Sequence, residues 1–439
     1  MRKLLMASAV SLLAAGTAWA QPAKQVAAPG TIVVHLNGYF QYSVGDFGST
    51  NMKGGSVAAG TAYKLNNVAT AGDFRLFPGF DAQTVNGIWY GFQAELRTAT
   101  TPAGKGVSNS STSGFSGIYV RRAYGYLGTP NYGYARFGQT DGVFSLMQTG
   151  VIENFGDGAQ WNGDGTPVLM FPGTAPGNFI YADTGALYAT DKIVYLTPTV
   201  SDGMLGGFFS AGISFEPNSN GLKEGYASPG SNTGANDSSI YGGSNSRRRN
   251  TLDLAVTYGL KANGFENKIS IGYLHGSPLG ILGPVSSHPA APYGYDELSV
   301  FQAGAQTTYA GLTVGANIKT GQVEDGYNLK PKGTRNGLTY IVGASYMMGP
   351  YILGVSYFNG QTSGVYTPGS TKVARTLSEY GVAAGANYIV AKPLNLFIQY
   401  MYGHKHQPGA QTVSSVSNYF GANGNAQVQL IAIGATIKW

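Results

Sequence analysis

The chain of 439 residues has no cysteine and few charged residues. The absence of Cys excludes disulfide scaffolds and cysteine-based metal sites. Charged residues make up only 11% of the chain, yet the mean hydropathy is −0.06. That value is too polar for a helical membrane protein, which needs runs of about 20 apolar residues. What the chain does have is 30 Tyr, 20 Phe and 66 Gly, and so many aromatic residues argue against disorder.

The first 20 residues have the anatomy of an export signal. Two cationic residues precede an apolar core over 4–15, and Ala18-Trp19-Ala20 matches an A-x-A cleavage site. The segment is shorter than a transmembrane anchor. We therefore expect residues 1–20 to be a removed signal peptide and residues 21–439 to form one exported domain. Loss of the two cations lowers the net charge from +6 to +4, which is too weak to indicate nucleic-acid binding.

After position 30, apolar and aromatic residues recur on alternate positions. In the first segment Val34, Leu36, Phe40 and Tyr42 share one parity, and polar residues occupy the other. A period of two indicates β-strands with one apolar and one polar face. The pattern favours sixteen strands, with eighteen as the open alternative. The predicted spans are 31–44, 71–85, 88–98, 116–128, 134–140, 186–200, 206–216, 247–260, 264–275, 298–309, 312–321, 337–347, 351–358, 376–390, 394–404 and 426–439.

The connections between these strands alternate strictly between long and short. Alternation places the long loops on one side of a sheet and the short turns on the other, and an even strand number returns both termini to the short-turn side. This plan is typical of an outer-membrane β-barrel. A soluble β-sandwich is the alternative, but its loops need not alternate in length. We therefore predict an all-β fold, a transmembrane antiparallel up-and-down barrel of 16 strands.

On a membrane barrel the apolar face points to lipid and the polar face points to the interior. Assigning each strand by its apolar residues sends these charged residues inward: Asp73, Arg75, Glu95, Arg97, Arg121, Arg136, Asp253, Glu266, Lys268, Lys319 and Glu379. Arg122 does not fit, because it shares parity with Tyr124 and Tyr126, which we assign to the outer face. Our hypothesis is that Arg122 lies at a subunit seam, shielded from lipid. A register error or a β-bulge is the alternative.

The third long connection, 141–185, is the longest, and it contains no Lys or Arg but many apolar residues. Because exposed apolar patches are unfavourable, we expect this loop to fold into the lumen of the barrel. Its carboxylates would then face arginines of the wall and create a transverse field across a constriction. The acidic residues of this predicted constriction are Glu153, Asp157 and Asp164, and the basic ones are Arg75, Arg97, Arg121 and Arg136. The alternative is that the acids are ordinary solvated loop charges.

Six short motifs resemble the general diffusion porins of Gram-negative bacteria. They are Leu36-Asn37-Gly38, Asp73–Leu76, Arg121–Tyr124, Phe137–Gly142, Lys192–Pro198 and the terminal Trp439. The resemblance spans residues 31–439 and implies a homotrimer of sixteen-stranded barrels whose third loop narrows each pore. It also implies that Arg75 and Arg121 occupy basic wall positions and that residues 153–157 resemble the acidic tip of the third loop.

The expected function is passive diffusion of small hydrophilic solutes and ions across the cell outer membrane. The expected partners are outer-membrane lipids including lipopolysaccharide, and no motif indicates nucleic acid, a cofactor or a catalytic site. The alternatives are a solute-specific porin and a non-conducting barrel that serves as an anchor or adhesin. Inward arginines favour a channel, because an anchor needs no charged lumen. Two further motifs stay open: His404 and His406 are metal ligands or rim residues, and Arg247–Arg249 binds lipopolysaccharide phosphates or is solvated.

Overall fold

A computed structural model describes residues 27–50, 53–54, 63–64, 66–99, 118–150, 190–201, 203, 206–217, 248–278, 295–323, 329–330, 332–363, 376–408 and 424–439. The expected signal peptide, residues 1–20, lies outside these stretches and stays a prediction. Within the same stretches no α-helix is long and apolar enough to cross a membrane.

Sixteen antiparallel strands form the wall of the molecule. They are β1 (Ile32–Ser49), β2 (Val68–Gln83), β3 (Trp89–Ala99), β4 (Ile118–Thr129), β5 (Gly133–Thr140), β6 (Thr190–Leu196), β7 (Gly207–Glu216), β8 (Arg248–Ala262), β9 (Phe265–Pro278), β10 (Leu298–Tyr309), β11 (Leu312–Gln322), β12 (Gly337–Met348), β13 (Tyr351–Ser363), β14 (Thr376–Ala391), β15 (Leu394–His406) and β16 (Asn425–Lys438). The short strand Val200–Ser201 continues β6 along β7, and Lys53–Gly54 pairs with Tyr63–Lys64 in the first long connection.

The sheet closes on itself because β1 pairs with β2 on one side and with β16 on the other. Tyr39 of β1 lies opposite Arg75 of β2 and opposite Lys438 of β16. Closure satisfies the backbone groups that a free edge strand would leave unpaired. The predicted closed barrel of sixteen antiparallel strands is confirmed.

The two faces of the barrel differ as the alternation predicts. Apolar side chains cover the outside, where Val34 is 78% exposed and Ile433 is 56% exposed. Polar residues of the opposite parity face inward, and Gln302 and Ser356 are almost fully buried there. An exposed apolar exterior of this extent fits hydrocarbon rather than water as the surrounding medium.

Aromatic rings pair on the outer face near both ends of the strands. Near the short turns, Phe265 stacks on Tyr309 at 4.3 Å between ring centroids, and Tyr351 lies 5.0 Å from Tyr388. Nearer the long connections, further pairs are Tyr340 with Tyr357 and Tyr380 with Tyr402. Rings with one apolar and one polar end are typical of the two membrane–water interfaces.

The C-terminal Trp439 packs on the outside of β1 at Gly38. The two residues exchange both backbone hydrogen bonds, at 3.0 Å and 3.2 Å, and the indole lies 6.1 Å from the ring of Phe74. A Cβ atom on Gly38 would lie 1.9 Å from the indole ring. Gly38 therefore provides the space that the terminal ring occupies where the barrel closes.

Gly38→Ala is expected to lower the free energy of unfolding by about 1–3 kcal/mol, because the added methyl group displaces the Trp439 ring from its seat. Gly259→Ala is the matched control, since a Cβ there meets only one atom, at 3.7 Å. Thermal unfolding followed by circular dichroism in detergent micelles measures both. Equal melting temperatures for the two variants would contradict this role of Gly38.

Candidate functional site

Five arginines lie together on the inner wall of four neighbouring strands. They are Arg75 on β2, Arg97 on β3, Arg121 and Arg122 on β4, and Arg136 on β5. All but Arg75 are buried, and Arg75 is half-buried. A buried charge without a partner of opposite charge is energetically costly. The partners of these arginines therefore define the site.

A β-bulge in β4 places two consecutive arginines on the same side. Glu95 of β3 lies opposite Arg122, but the next residue, Leu96, lies opposite Val120, so Arg121 is the extra residue of the bulge. An extra residue reverses the side-chain parity of one strand segment relative to the other. Both Arg121 and Arg122 can therefore reach the carboxylate of Glu95 from inside the barrel.

The carboxylate of Glu95 is the centre of this arginine cluster. It accepts a hydrogen bond from Arg97. It also lies 3.0 Å from Nη1 of Arg121 and 2.6 Å from Nε of Arg122. Nη1 of Arg122 also donates to Asp141 at 2.5 Å. Three guanidinium groups around one glutamate leave the local charge positive, and Arg122 ties the wall to the first residue after β5.

Arg75 belongs to a second, more accessible group on the same wall. Its guanidinium binds Asp73 at 2.5 Å and lies 5.2 Å from the ring centroid of Tyr39. The ammonium of Lys438 lies 6.0 Å from the same ring centroid. Lys438, Tyr39, Arg75 and Arg97 are successive register partners across β16, β1, β2 and β3. Three of these four positions carry a cation, and two of the cations are paired with carboxylates, Arg75 with Asp73 and Arg97 with Glu95.

Arg136 is held differently, by aromatic rings. Its guanidinium lies 5.0 Å from the ring of Tyr124 and 5.4 Å from that of Tyr134, and it donates to the Tyr134 hydroxyl at 3.0 Å. The side chain is fully buried. Cation–π contacts are strongest when water is excluded. Tyr124 is fixed in turn by its hydrogen bond to Gln93 at 2.7 Å.

The first ten residues of the third long connection lie inside the barrel. Residues 141–150 leave β5 and include the short helix α1 (Val143–Leu146). Ser214 of β7 accepts a hydrogen bond from the Val143 amide at 3.1 Å. Further along, Gln302 of β10 donates to the Phe144 carbonyl at 2.6 Å, and Asn317 of β11 donates to the Thr149 carbonyl at 2.7 Å. The segment therefore crosses the inner faces of β7 to β11.

Apolar packing reinforces these hydrogen bonds. One cluster joins Val143 and Met147 to three residues of the wall, namely Val194, Leu196 and Ala255. A second cluster surrounds Phe144, and its members are Leu274, Leu298, Val300, Val323 and Leu329. Because Phe144 is fully buried, its displacement would expose most of an aromatic ring to water. The start of the third connection is thus fixed to the wall.

The described part of the chain contains no group of three His, Asp or Glu side chains that is arranged to hold a metal ion. His404 and His406 belong to the outer face, with the parity of Tyr400 and Tyr402. The ring of His404 lies 4.9 Å from that of Tyr380, and Nδ1 of His406 lies 2.9 Å from Oδ1 of Asn425. Both histidines thus contact side chains of neighbouring strands.

Solved structures with this architecture are bacterial porins. The anion-selective porin from Comamonas acidovorans has a TM-score of 0.52 and 13% sequence identity, over 93% of this chain and 100% of that chain. OmpT from Vibrio cholerae, in its trimer form, has a TM-score of 0.49 and 12% identity, over 93% and 100%. No curated protein matches the chain. The family model of the Gram-negative porins matches residues 7–407. The chain belongs to the Gram-negative porin family.

The predicted site residues of this porin divide into two groups. Arg75, Arg97, Arg121 and Arg136 all lie on the inner side of the β2–β5 wall, as the alternation predicts. The acidic residues Glu153, Asp157 and Asp164 lie outside the described residues. The constriction between the two groups therefore stays a prediction.

The hypothesis that Arg122 lies at a subunit seam of the porin is wrong. Arg122 points inward and binds Glu95 and Asp141. The physical reason is the bulge at Arg121, which was the stated alternative. The same bulge means that Tyr124 and Tyr126 face inward, where Tyr126 binds Asp81, rather than outward as assigned.

The amides Gln302 and Asn317 are site residues that sequence reasoning missed, and Asp141 was recognised only as one of the acidic residues of the third loop, without its contact to Arg122. Asp141 directly follows β5. This position at the start of the third loop is the signal from which a contact between the loop and the wall could have been expected. The two amides lie on the polar parity of β10 and β11, but nothing in the sequence distinguishes them from other inward polar residues.

Proposed function

We propose that this protein is an outer-membrane porin that forms a water-filled channel for the passive diffusion of small hydrophilic solutes and ions. The observation that carries the proposal is the sorting of side chains on a closed barrel of sixteen strands: apolar residues outside, and arginines with carboxylates inside. A barrel of this size leaves room for water in its lumen. An anchor would have no use for buried inward charges. The porin family suggests a non-enzymatic channel.

We further propose that residues 151–185 continue across the lumen and narrow it. Gly150, where the described segment stops, touches Ala316 of β11, and β11 is half-way round the barrel from β3, which carries Arg97. Glu153, Asp157 and Asp164 follow Gly150 in the sequence. Carboxylates that start from the side opposite the arginines would create a transverse field, which orders water and discriminates among solutes.

Burial of an apolar region on the inner wall supports the same proposal. Ile341, Phe358, Met401 and Leu430 face inward from β12, β13, β15 and β16, and all are at most 1% exposed. Apolar side chains that lined a wide aqueous lumen would be exposed. The apolar residues of the third connection provide a natural cover for them.

Location and assembly belong to the same proposal. A cleaved leader at 1–20 would export the chain, and the exposed apolar exterior would place the barrel in the outer membrane, with lipopolysaccharide around its long-loop end. A homotrimer is the proposed assembly, as for the trimer form of OmpT. Chemical crosslinking of the folded protein in detergent measures the subunit number.

Recording from planar lipid bilayers tests the channel function. We expect stepwise, ohmic increases in KCl conductance as single molecules or trimers insert. Silence of a correctly folded sample would support the anchor alternative. Block of the KCl current by one sugar, but not by isomers of equal size, would support the solute-specific alternative.

Arg75→Met is expected to shift the zero-current potential in a KCl gradient further toward cation preference than Arg136→Met. The Arg75 side chain retains 12% exposure, whereas Arg136 is fully enclosed between tyrosine rings. The change in the K⁺/Cl⁻ permeability ratio should be at least about twofold for Arg75, because its removal leaves the carboxylate of Asp73 without its cation at a part of the wall that touches water. Equal shifts for the two variants would show that Arg136 also reaches the water of the pore.

A further inference from the structure

Two of the long connections, at the end of the barrel where the long loops lie, contact helix α1. One precedes β10 and includes residues 295–297, and the other follows β11 and includes residues 329–330 and 332–336. Leu329 is fully buried in the cluster that surrounds Phe144, and Tyr295 packs against the same cluster. Residues of external connections therefore complete the apolar environment of a helix inside the lumen.

An ion pair between a buried lysine and a partly exposed aspartate joins these two connections. The ammonium of Lys330 binds the carboxylate of Asp296 and donates to the carbonyl of Thr334 at 3.0 Å. The Asp296 amide donates to the Lys330 carbonyl at 3.0 Å. The Lys330 side chain is only 4% exposed, so removal of Asp296 would leave a buried, uncompensated charge. The pair thus fixes the position of Leu329, which directly precedes Lys330.

The opposite side of Phe144 is held by the barrel wall. Gln302 binds its carbonyl oxygen, and the ammonium of Lys319 lies 5.7 Å from its ring centroid. Phe144 is therefore enclosed between β9–β11 on one side and the external connections on the other. Neither side alone would keep the ring from water.

We propose that Tyr295, Asp296, Leu329 and Lys330, here called the mouth clamp, are positioning residues that hold helix α1 against the wall and so set the width of the passage. This inference rests on the proposed function, because only a conducting lumen has a passage that a displaced helix would change. Through the mouth clamp, the position of helix α1 in the third connection depends on two other loops. The sequence of the third connection alone does not reveal this dependence.

A cysteine reporter in helix α1 tests the clamp without any measurement of current. The chain has no native Cys, and Ser145→Cys introduces one at a side chain whose Oγ is shielded from solvent. In this background, Leu329→Ala, Lys330→Met and Asp296→Asn should each raise the rate of labelling by a membrane-impermeant thiol reagent at least about tenfold, because each increases the population of released helix. Lys330→Arg, which keeps the charge, should label at nearly the parent rate.

Lys261→Met is the matched control. Lys261 pairs with Glu266 at 3.0 Å, but both side chains are well exposed at a short turn. This variant should label at the parent rate. The difference in migration between unheated and heated samples on detergent gels, which marks a folded barrel, must be the same for all variants that are compared. Equal labelling rates in the clamp variants, Lys261→Met and the parent would overturn the proposal.

Single-channel recording of the same variants separates this inference from the proposed function. Clamp variants should show open-channel current noise at least about twice that of the parent, because a released helix moves within the passage. A silent parent would overturn the proposed function, and the labelling rates would still decide the clamp. A conducting parent with unchanged clamp variants would overturn the clamp alone.

Discussion

Arg122→Met will lower the free energy of unfolding of the barrel by about 3–5 kcal/mol, because it leaves two buried carboxylates with one fewer cation. Arg122 lies 2.6 Å from Glu95 and 2.5 Å from Asp141, and all three residues are buried. Arg97 and Arg121 still neutralise Glu95 in the variant. Asp141 loses a buried hydrogen bond at the root of the third connection.

Urea-induced unfolding in lipid–detergent micelles measures this effect, and Lys261→Met serves as the control. Exposed ion pairs contribute at most about 1 kcal/mol, and the side chains of Lys261 and Glu266 are 66% and 58% exposed. Arg122→Lys should fall between Arg122→Met and the parent, since an ammonium cannot bridge two carboxylates as a guanidinium does. A stability loss for Arg122→Met no larger than for the control would show that the cluster has no structural role.

Deletion of residues 152–182 will raise the single-channel conductance at least about twofold, because it removes the segment proposed to narrow a lumen of sixteen strands. The deletion also removes Glu153, Asp157 and Asp164. The permeability ratio should therefore shift toward anions, since the wall arginines would remain without their proposed counter-charges. Planar-bilayer recording under a KCl gradient gives both quantities from the same channels.

Deletion of residues 219–246, in the fourth long connection, is the matched control. This connection has no proposed place in the lumen, so its removal should change the conductance by much less. If the deletion of 152–182 leaves conductance and ion preference unchanged, the third connection does not constrict the pore. If both deletions raise the conductance equally, the increase reports wider access to the mouth rather than a constriction.

The strands were the most predictable feature of this sequence, because alternation of apolar and polar residues follows directly from a wall between lipid and water. The prediction failed mainly at strand ends. The thirteenth strand was expected to end at 358 but continues to Ser363, through residues without apolar alternation. Where a strand extends beyond the hydrocarbon layer, its outer face no longer contacts lipid. Apolar and polar residues then need not alternate, so the alternation does not show where the strand ends.

The sixth strand shows a different reason for a wrong boundary. It was expected over 186–200, but regular pairing ends at Leu196 and resumes only at Val200–Ser201. Pro198 lies in the gap, and proline has no backbone N–H to donate to a neighbouring strand. The position of Pro198 in the sequence was therefore sufficient to predict this break.

The inner wall was predictable in its charges but not in its contacts. Parity alone placed Arg75, Arg97 and Arg136 inside. It failed at Arg122 because the bulge at Arg121 shifts the parity by one residue, and tyrosines suit either face of a barrel. The hydrogen bonds of Gln302 and Asn317 to residues 144 and 149 join parts of the chain far apart in sequence. Such contacts depend on closure of the whole barrel, which no local pattern encodes.

Swelling of liposomes that contain the purified protein tests most directly whether water and solutes pass through this barrel. In isotonic solutions of neutral sugars, we predict rapid swelling with pentoses, slower swelling with hexoses and little with trisaccharides, because a constricted aqueous passage selects by size. Liposomes without protein, or with protein denatured by heat before reconstitution, should not swell. Absence of swelling with every sugar, from protein shown to be folded, would contradict a conducting lumen.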